Sequence, residues 1–146
     1  MLQADPEILD LIPHREPMLL LHELIMVDSN RSAALVHISN SVPFYENGRG
    51  VPAIVGIEFM GQTAALIAGH QRKTGQLANH LGFLLGVRNY TVDIGYFPID
   101  VTLKVTCTET AVVGDGLAKF SCDIERYDSG LRFATGELSV FRQPIE

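Results

Sequence analysis

Val51 to Thr74, VPAIVGIEFMGQTAALIAGHQRKT, constrains the whole chain. Between Arg49 and Arg72 this stretch carries one charged residue, Glu58, set among Ile54, Val55, Ile57, Phe59 and Met60. A helix that is apolar all round needs burial on every side, either in a protein core or in a bilayer. Glu58, Gln62 and the interspersed glycines disfavour a bilayer. The rest of the chain is therefore expected to wrap a central helix running from about Pro52 to Lys73. Burying an unpaired carboxylate is costly, so such a group changes its protonation or finds a partner. Glu58 is either a structural ion-pair partner, with Arg88 as one possible mate, or it is chemistry.

The flanking sequence suits that wrap. Asp5-Pro6 followed by EILDLIP predicts a short helix, with Asp5 as N-cap, proline at the first helical position and Pro13 beyond the end. Pro17 to Val27 predicts a largely buried strand, Asp28 to Asn30 a turn, and Ala33 to Ile38 the partner strand. Ser41 to Val51, dense in Pro, Asn and Gly, reads as a loop. After the helix come four strands: Gly82 to Tyr96, Ile99 to Val112, and two more joined at Asp128 to Gly130. Gly114-Asp115-Gly116 reads as a further hairpin turn. The simplest solution is an α+β fold in which an antiparallel sheet wraps one long central helix, as a single domain over residues 1–146.

Charge and motif content narrow the function. A net charge of −6 without basic runs argues against nucleic acid as a partner. Cys107 and Cys122 lack any metal-ligand spacing, so no metal is expected and each packs as a small apolar residue in a reducing compartment. The chain contains neither a phosphate-binding loop nor a G-x-S-x-G elbow, and no cofactor is expected. The opening MLQADPEILDLIPHREP shows no basic segment followed by an apolar one, which leads to a cytoplasmic expectation and no membrane partner.

Within the central helix, Gln62 follows Glu58 by four residues and so shares its face, where it can orient the carboxylate. Glu58 also lies close to the helix N-terminus, where free backbone N–H groups favour an anion or a polarised carbonyl. His14, in PHREP, stands between the first helix and the first strand. It is either a cap for the helix carbonyls or a base that titrates near neutrality. His22 and His37 fall in strands, His70 near the helix end and His80 in a loop, and each reads as structural or exposed. Arg15, Arg49, Arg72, Lys73 and Arg88 are either ordinary surface or a cluster around a pocket mouth.

Three segments resemble the β-hydroxyacyl-acyl carrier protein dehydratases of the FabZ type. LIPHREPMLLLHELIMV is similar to their L-P-H-R-x-P-x-L-L opening, and VPAIVGIEFMGQTAALIA to their x-P-G-x-L-x-x-E-A-M-A-Q central helix. FLLGVRNYTV is similar to the strand that follows it. The likeness covers nearly the whole chain and is nearest to the divergent PHRxPM branch called ApeP-like. It implies a hot-dog fold and a dimer, as a homodimer, a hot-dog heterodimer or a higher oligomer. It also implies a thioester substrate on an acyl carrier protein. Glu58 falls on the family's catalytic acid, which protonates the departing C3 hydroxyl of a 3-hydroxyacyl group while a histidine removes a C2 proton. Gln62 falls on the supporting glutamine and Gly86 on a glycine lining the tunnel. Val55, Phe44 and Arg88 complete the expected substrate contacts, and Arg49, Arg72 and Lys73 are the expected carrier-docking residues.

The chain departs from the pattern at one point. The family's G-H-F-P segment places its histidine fourteen residues before the glutamate, where this chain has Phe44 in a shortened loop. His14 is the candidate replacement. Two other readings stay open: a hot-dog thioesterase that relies on Glu58, and a weakly active subunit completing a hot-dog heterodimer.

Overall fold

The computed structural model describes residues 5–78 and 80–145, so the start of the chain, read above for the absence of a leader, lies partly outside them. In chain order the elements are α1 (Pro6–Leu11), β1 (Glu23–Val27), β2 (Arg31–His37), β3 (Val51–Pro52), a 3-10 turn (Ala53–Val55), α2 (Gly56–Lys73), β4 (His80–Val92), β5 (Tyr96–Phe97), β6 (Thr102–Val113), β7 (Leu117–Arg126) and β8 (Arg132–Pro144). Six strands form one antiparallel sheet in the order β1-β2-β6-β7-β8-β4, and β3 pairs with β5 apart from it. Helix α2 packs across the sheet, touching β2, β4, β6, β7 and β8. This is the expected wrapped-helix arrangement. Among the described residues no helix is long and apolar enough to cross a membrane.

The burial that the central helix demands is met on both flanks. Phe59, Met60, Leu66 and Ile67 are fully buried against Leu103, Val105, Phe120, Ile124 and Leu138 of the sheet. Each such side chain contributes about 1.5–3 kcal/mol relative to exposure. The Phe97 ring stacks at a tilt on Phe59 (5.8 Å) and Phe133 (6.2 Å), so the small β3–β5 pair anchors the start of α2 to the core. That pair escapes sequence reading because strands of two residues carry no periodicity.

Several boundaries differ from expectation: α2 begins at Gly56 after a 3-10 turn rather than at Pro52, and the strand expected over Gly82 to Tyr96 ends at Val92, with Tyr96 in β5. The first strand begins at Glu23 rather than Pro17, because the preceding segment is held by α2 instead of a neighbouring strand. Leu20 N–H donates to Gln62 Oε1 (2.9 Å), and Gln62 Nε2 donates to Met18 C=O (2.8 Å). His80 opens β4 rather than sitting in a loop. Cys107 and Cys122, distant in sequence, are direct cross-strand partners with sulfurs 2.8 Å apart, both as buried free thiols.

Helix α1 is capped as expected. Asp5 Oδ1 accepts from Glu7 N–H (3.0 Å), and Oδ2 accepts from Leu24 N–H (2.9 Å), which ties the helix to β1. Its C-terminal end rests on α2 at Gly69, where a Cβ would come within 2.0 Å of the Leu11 carbonyl oxygen. Backbone cannot yield as a flexible side chain does, so Gly69→Ala is expected to push α1 off α2. The expected loss is about 1–3 kcal/mol, read by denaturant unfolding. Unchanged stability would show that α1 is not seated through this contact.

Strand β4 closes the sheet at one edge and leaves apolar side chains bare. Leu81, Phe83, Leu84, Leu85 and Val87 are 39–62% exposed. A long unpaired edge of this kind is a template for another strand.

Candidate active site

The local structure around His14 decides between its two readings. The last carbonyls of α1 need donors, and Arg15 reaches back to one of them, Leu9. Its guanidinium donates to Leu9 C=O (2.9 Å), Ile12 C=O (2.9 Å) and His14 C=O (2.8 Å). Arg15, not His14, performs the capping, and the imidazole is left unengaged. His14 Nδ1 is buried and has no hydrogen-bond partner among the described residues.

Glu58 lies in the first turn of α2, and Oε1 accepts from Gln62 Nε2 (3.0 Å). Gln62 is fully buried and spends its remaining capacity on Met18 and Leu20, so its amide cannot swing away. Glu58 has no salt bridge among the described residues, which removes the ion-pair reading. Arg88, the mate considered for it, sits on exposed β4 in register with Glu137.

His14 and Glu58 line one cleft of about 740 Å³. Burial pushes the His14 imidazole below its usual 6.5, the Glu58 carboxylate pulls it back up, and Arg15 pushes it down again. The imidazole is therefore neutral at pH 7 and able to accept a proton. Burial lowers His22 and His80 as well. Such groups bind fewer protons folded than unfolded, so stability falls as pH drops below about 6.5. The unfolding midpoint should hold between pH 8 and 7 and decline on further acidification. A midpoint that rises between pH 6.5 and 5.5 would contradict this.

From Glu58 the cleft follows α2. Its floor is Gly61, Ala64, Ala65, Ala68 and Gly69, spaced as one helical stripe. Leu84, Phe120 and Val140 supply apolar walls, and Arg72, His80 and Arg142 stand at the far end. Arg142 is held in a buried network. It donates to Glu109 Oε1 (2.6 Å) and Gln71 Oε1 (3.0 Å), while Gln71 Nε2 donates to Glu109 Oε2 (2.9 Å). The guanidinium also lies 5.5 Å from the Phe120 ring centroid.

The other expected residues are dispersed. Val55, Phe44, Gly86 and Arg88 do not line this cleft. Val55 closes the 3-10 turn before α2, and Gly86 lies beside an irregularity in β4. Phe44 is 61% exposed in its loop with φ at 72°, a left-handed conformation rarely adopted by a bulky residue. The basic residues do not gather at one mouth. Arg49, before the N-terminal end of α2, donates to Tyr96 Oη (3.1 Å). At the other end of α2, Arg72 donates to Asp10 C=O (3.1 Å) and Lys73 pairs with the Asp10 carboxylate. Arg15 as a clamp and Arg142 as a lining residue were not singled out for these roles by sequence. The small-residue stripe was the available signal for the cleft floor.

Comparison with known proteins bears on the family and the fold. The ApeP-like family model, described as ApeP dehydratase, matches residues 6–146. The 3-hydroxyacyl-[acyl-carrier-protein] dehydratase FabZ of Rickettsia bellii is 32% identical over 88 residues, covering 57% of this chain and 59% of that protein. The match thus spans little more than half the length of this curated relative. A chain of the dehydratase heterocomplex ApeI:P from Xenorhabdus doucetiae superposes with a TM-score of 0.83 at 28% identity, covering 95% of this chain and 91% of that one. A hypothetical thioesterase with coenzyme A from Streptococcus pneumoniae superposes with a TM-score of 0.64 at 13% identity, covering 84% and 88%, and shares the hot-dog fold.

Proposed function

Since the chain belongs to the ApeP-like dehydratase family, we propose that it removes water from 3-hydroxyacyl thioesters carried by an acyl carrier protein, giving trans-2-enoyl thioesters. The observation that carries this reading is the placing of a neutral, unengaged imidazole and a fixed carboxyl in one cleft. His14 accepts the proton from C2, whose acidity comes from the adjacent thioester carbonyl. The C2–H electron pair forms the C2=C3 bond as the C3–O bond breaks. Glu58 in its acid form gives its proton to the departing hydroxyl, which leaves as water. Gln62 holds Glu58 in place, and Arg15 fixes the backbone that presents His14.

Incubating the protein with a 3-hydroxyacyl carrier protein and weighing the products tests this directly. The expected product is lighter by one water and still thioester-bound. Release of free acid would overturn the reading in favour of thioester hydrolysis. An unchanged substrate would leave the chain a partner subunit.

The bare edge of β4 is proposed to pair with a second hot-dog subunit, the same chain or a related one. Leu85→Lys combined with Val87→Lys should yield a monomer in sedimentation where the unaltered chain, or its complex with that second subunit, does not. Persistence of the original assembly would place the interface elsewhere.

A further inference from the structure

Helix α2 starts without the usual restraint. Helix starts are ordinarily fixed by a Ser, Thr, Asp or Asn side chain that accepts from a first-turn N–H. Here neither Pro52, before the 3-10 turn, nor Val55, before the helix, makes a side-chain capping bond. Yet Glu58, whose carboxyl the proposed reaction needs in a fixed place, lies in this first turn. The restraint comes instead from β4. Tyr90 Oη donates to the C=O of Ala53 (2.6 Å), the first residue of the 3-10 turn. The same carbonyl accepts from Gly56 N–H, and Ala53 N–H donates to Gly95 C=O (2.9 Å). Both lone pairs of that carbonyl are thus used, and the turn is held from two sides.

Three features of the sequence combine to bring Tyr90 there. Strand β4 otherwise runs largely exposed along the sheet edge. In its ladder with β8, Arg88 stands opposite Glu137 and Thr91 opposite Thr135, so Asn89 and Tyr90 together face Gly136. Two residues against one make a β-bulge, which re-aims a side chain. Asn89 has a left-handed φ of 56°, a conformation asparagine tolerates, and its Nδ2 donates to Glu137 Oε2 (3.0 Å). The Tyr90 ring then occupies space that two glycines leave open. A Cβ on Gly136 would come within 3.2 Å of Tyr90 Cδ1, and one on Gly56 within 2.3 Å of Tyr90 Oη. Burial pushes the phenol up to about 12, so the hydroxyl keeps its proton to donate. A bulge, a left-handed residue and a facing glycine at one point of an edge strand serve to deliver one side chain.

We propose that Tyr90 is a positioning residue for the reaction: its hydroxyl fixes the turn from which α2 starts and so sets where the Glu58 carboxyl stands. Gln62 holds the carboxyl from the following turn, and Tyr90 holds the backbone ahead of it. The proposal rests on the dehydratase reading for what Glu58 does, and on the Tyr90–Ala53 bond for what holds it.

Tyr90→Phe keeps the ring between Gly56 and Gly136 and removes only the hydroxyl. Ala53 C=O retains Gly56 N–H, so the unfolding midpoint should stay near that of the unaltered protein. In dehydration of a 3-hydroxyacyl pantetheine thioester, kcat should fall by about 10- to 100-fold with KM nearly unchanged, the cost of a misplaced reacting group. In a Glu58→Gln background the same substitution should cost little more, because a residue that acts through another is not additive with it. An unaltered kcat overturns the proposal. So does a full further loss on top of Glu58→Gln, which is what general loosening predicts. The Gln62 side-chain amide resonance gives a readout that needs no turnover, since Gln62 Nε2 donates to Glu58 Oε1. It should move in Tyr90→Phe and stay in place in Tyr127→Phe, where the residue altered is exposed. A protein that dehydrates nothing yet shows this movement rejects the reaction and keeps the tie between Tyr90 and Glu58. No movement overturns the tie itself.

Discussion

Glu58→Gln is expected to slow dehydration of a 3-hydroxyacyl thioester by about 10²–10⁴-fold while leaving the protein folded. The amide has the shape of the carboxyl and can still bond to Gln62, so the packing of the first turn of α2 is retained. What it loses is a proton to give. His14→Ala should cost a similar factor, because the leaving hydroxyl gains little from an acid when nothing takes the C2 proton. The two losses should not multiply, since residues that act as a unit are strongly non-additive. Rate against pH should fall off on an acid limb below about 6.5, in keeping with the lowered His14. Glu58→Gln turning over at near-native speed would remove the carboxyl from the chemistry.

The second large effect is expected at Gln62. Gln62→Leu keeps the volume and removes every polar bond the side chain makes. The buried Leu20 N–H and the part-buried Met18 C=O then lose their partner, and the Glu58 carboxyl loses its anchor. Leaving the buried Leu20 N–H unsatisfied costs about 1–3 kcal/mol, which is the loss expected from denaturant unfolding. Because Met18 and Leu20 follow directly on the PHREP segment, both poles of the acid–base pair should loosen together. Turnover should therefore fall further than the lost stability alone accounts for. A variant of native stability would show that the segment is held by its apolar contacts instead.

Much of this was legible from the chain, for identifiable reasons. The lone charge in an apolar run marked α2 and its need for a wrap, because a helix without a polar face has one kind of destination. Glu58 and Gln62 were visible as a pair because helical spacing is fixed. The turns at Gly114 and Gly130 carried their own chemistry, with both glycines at positive φ. Other features depend on approach in three dimensions. Whether Arg15 or His14 caps α1 is settled by which side chain reaches back to Leu9. Arg142 lies in the last strand, far in sequence from α2, and only the order β7-β8-β4 brings it to the end of the cleft. The basic residues were either ordinary surface or a cluster at a pocket mouth, and a rigid helix separates Arg49 from Arg72 and Lys73.

The stripe of Gly61, Ala64, Ala65, Ala68 and Gly69 acts as a ruler. Each position is a graduation along α2, counted from the Glu58 carboxyl. Any side chain longer than methyl at one of them would narrow the space above it. The floor stops at Gly69, where the helix is already in contact with Leu11, so the far mark is fixed by the packing of α1. On the proposed reading, chain-length selectivity would be adjustable along this stripe without touching Glu58 or His14. The mark at Gly69 is the exception, since a change there would release α1 and move His14 along with it.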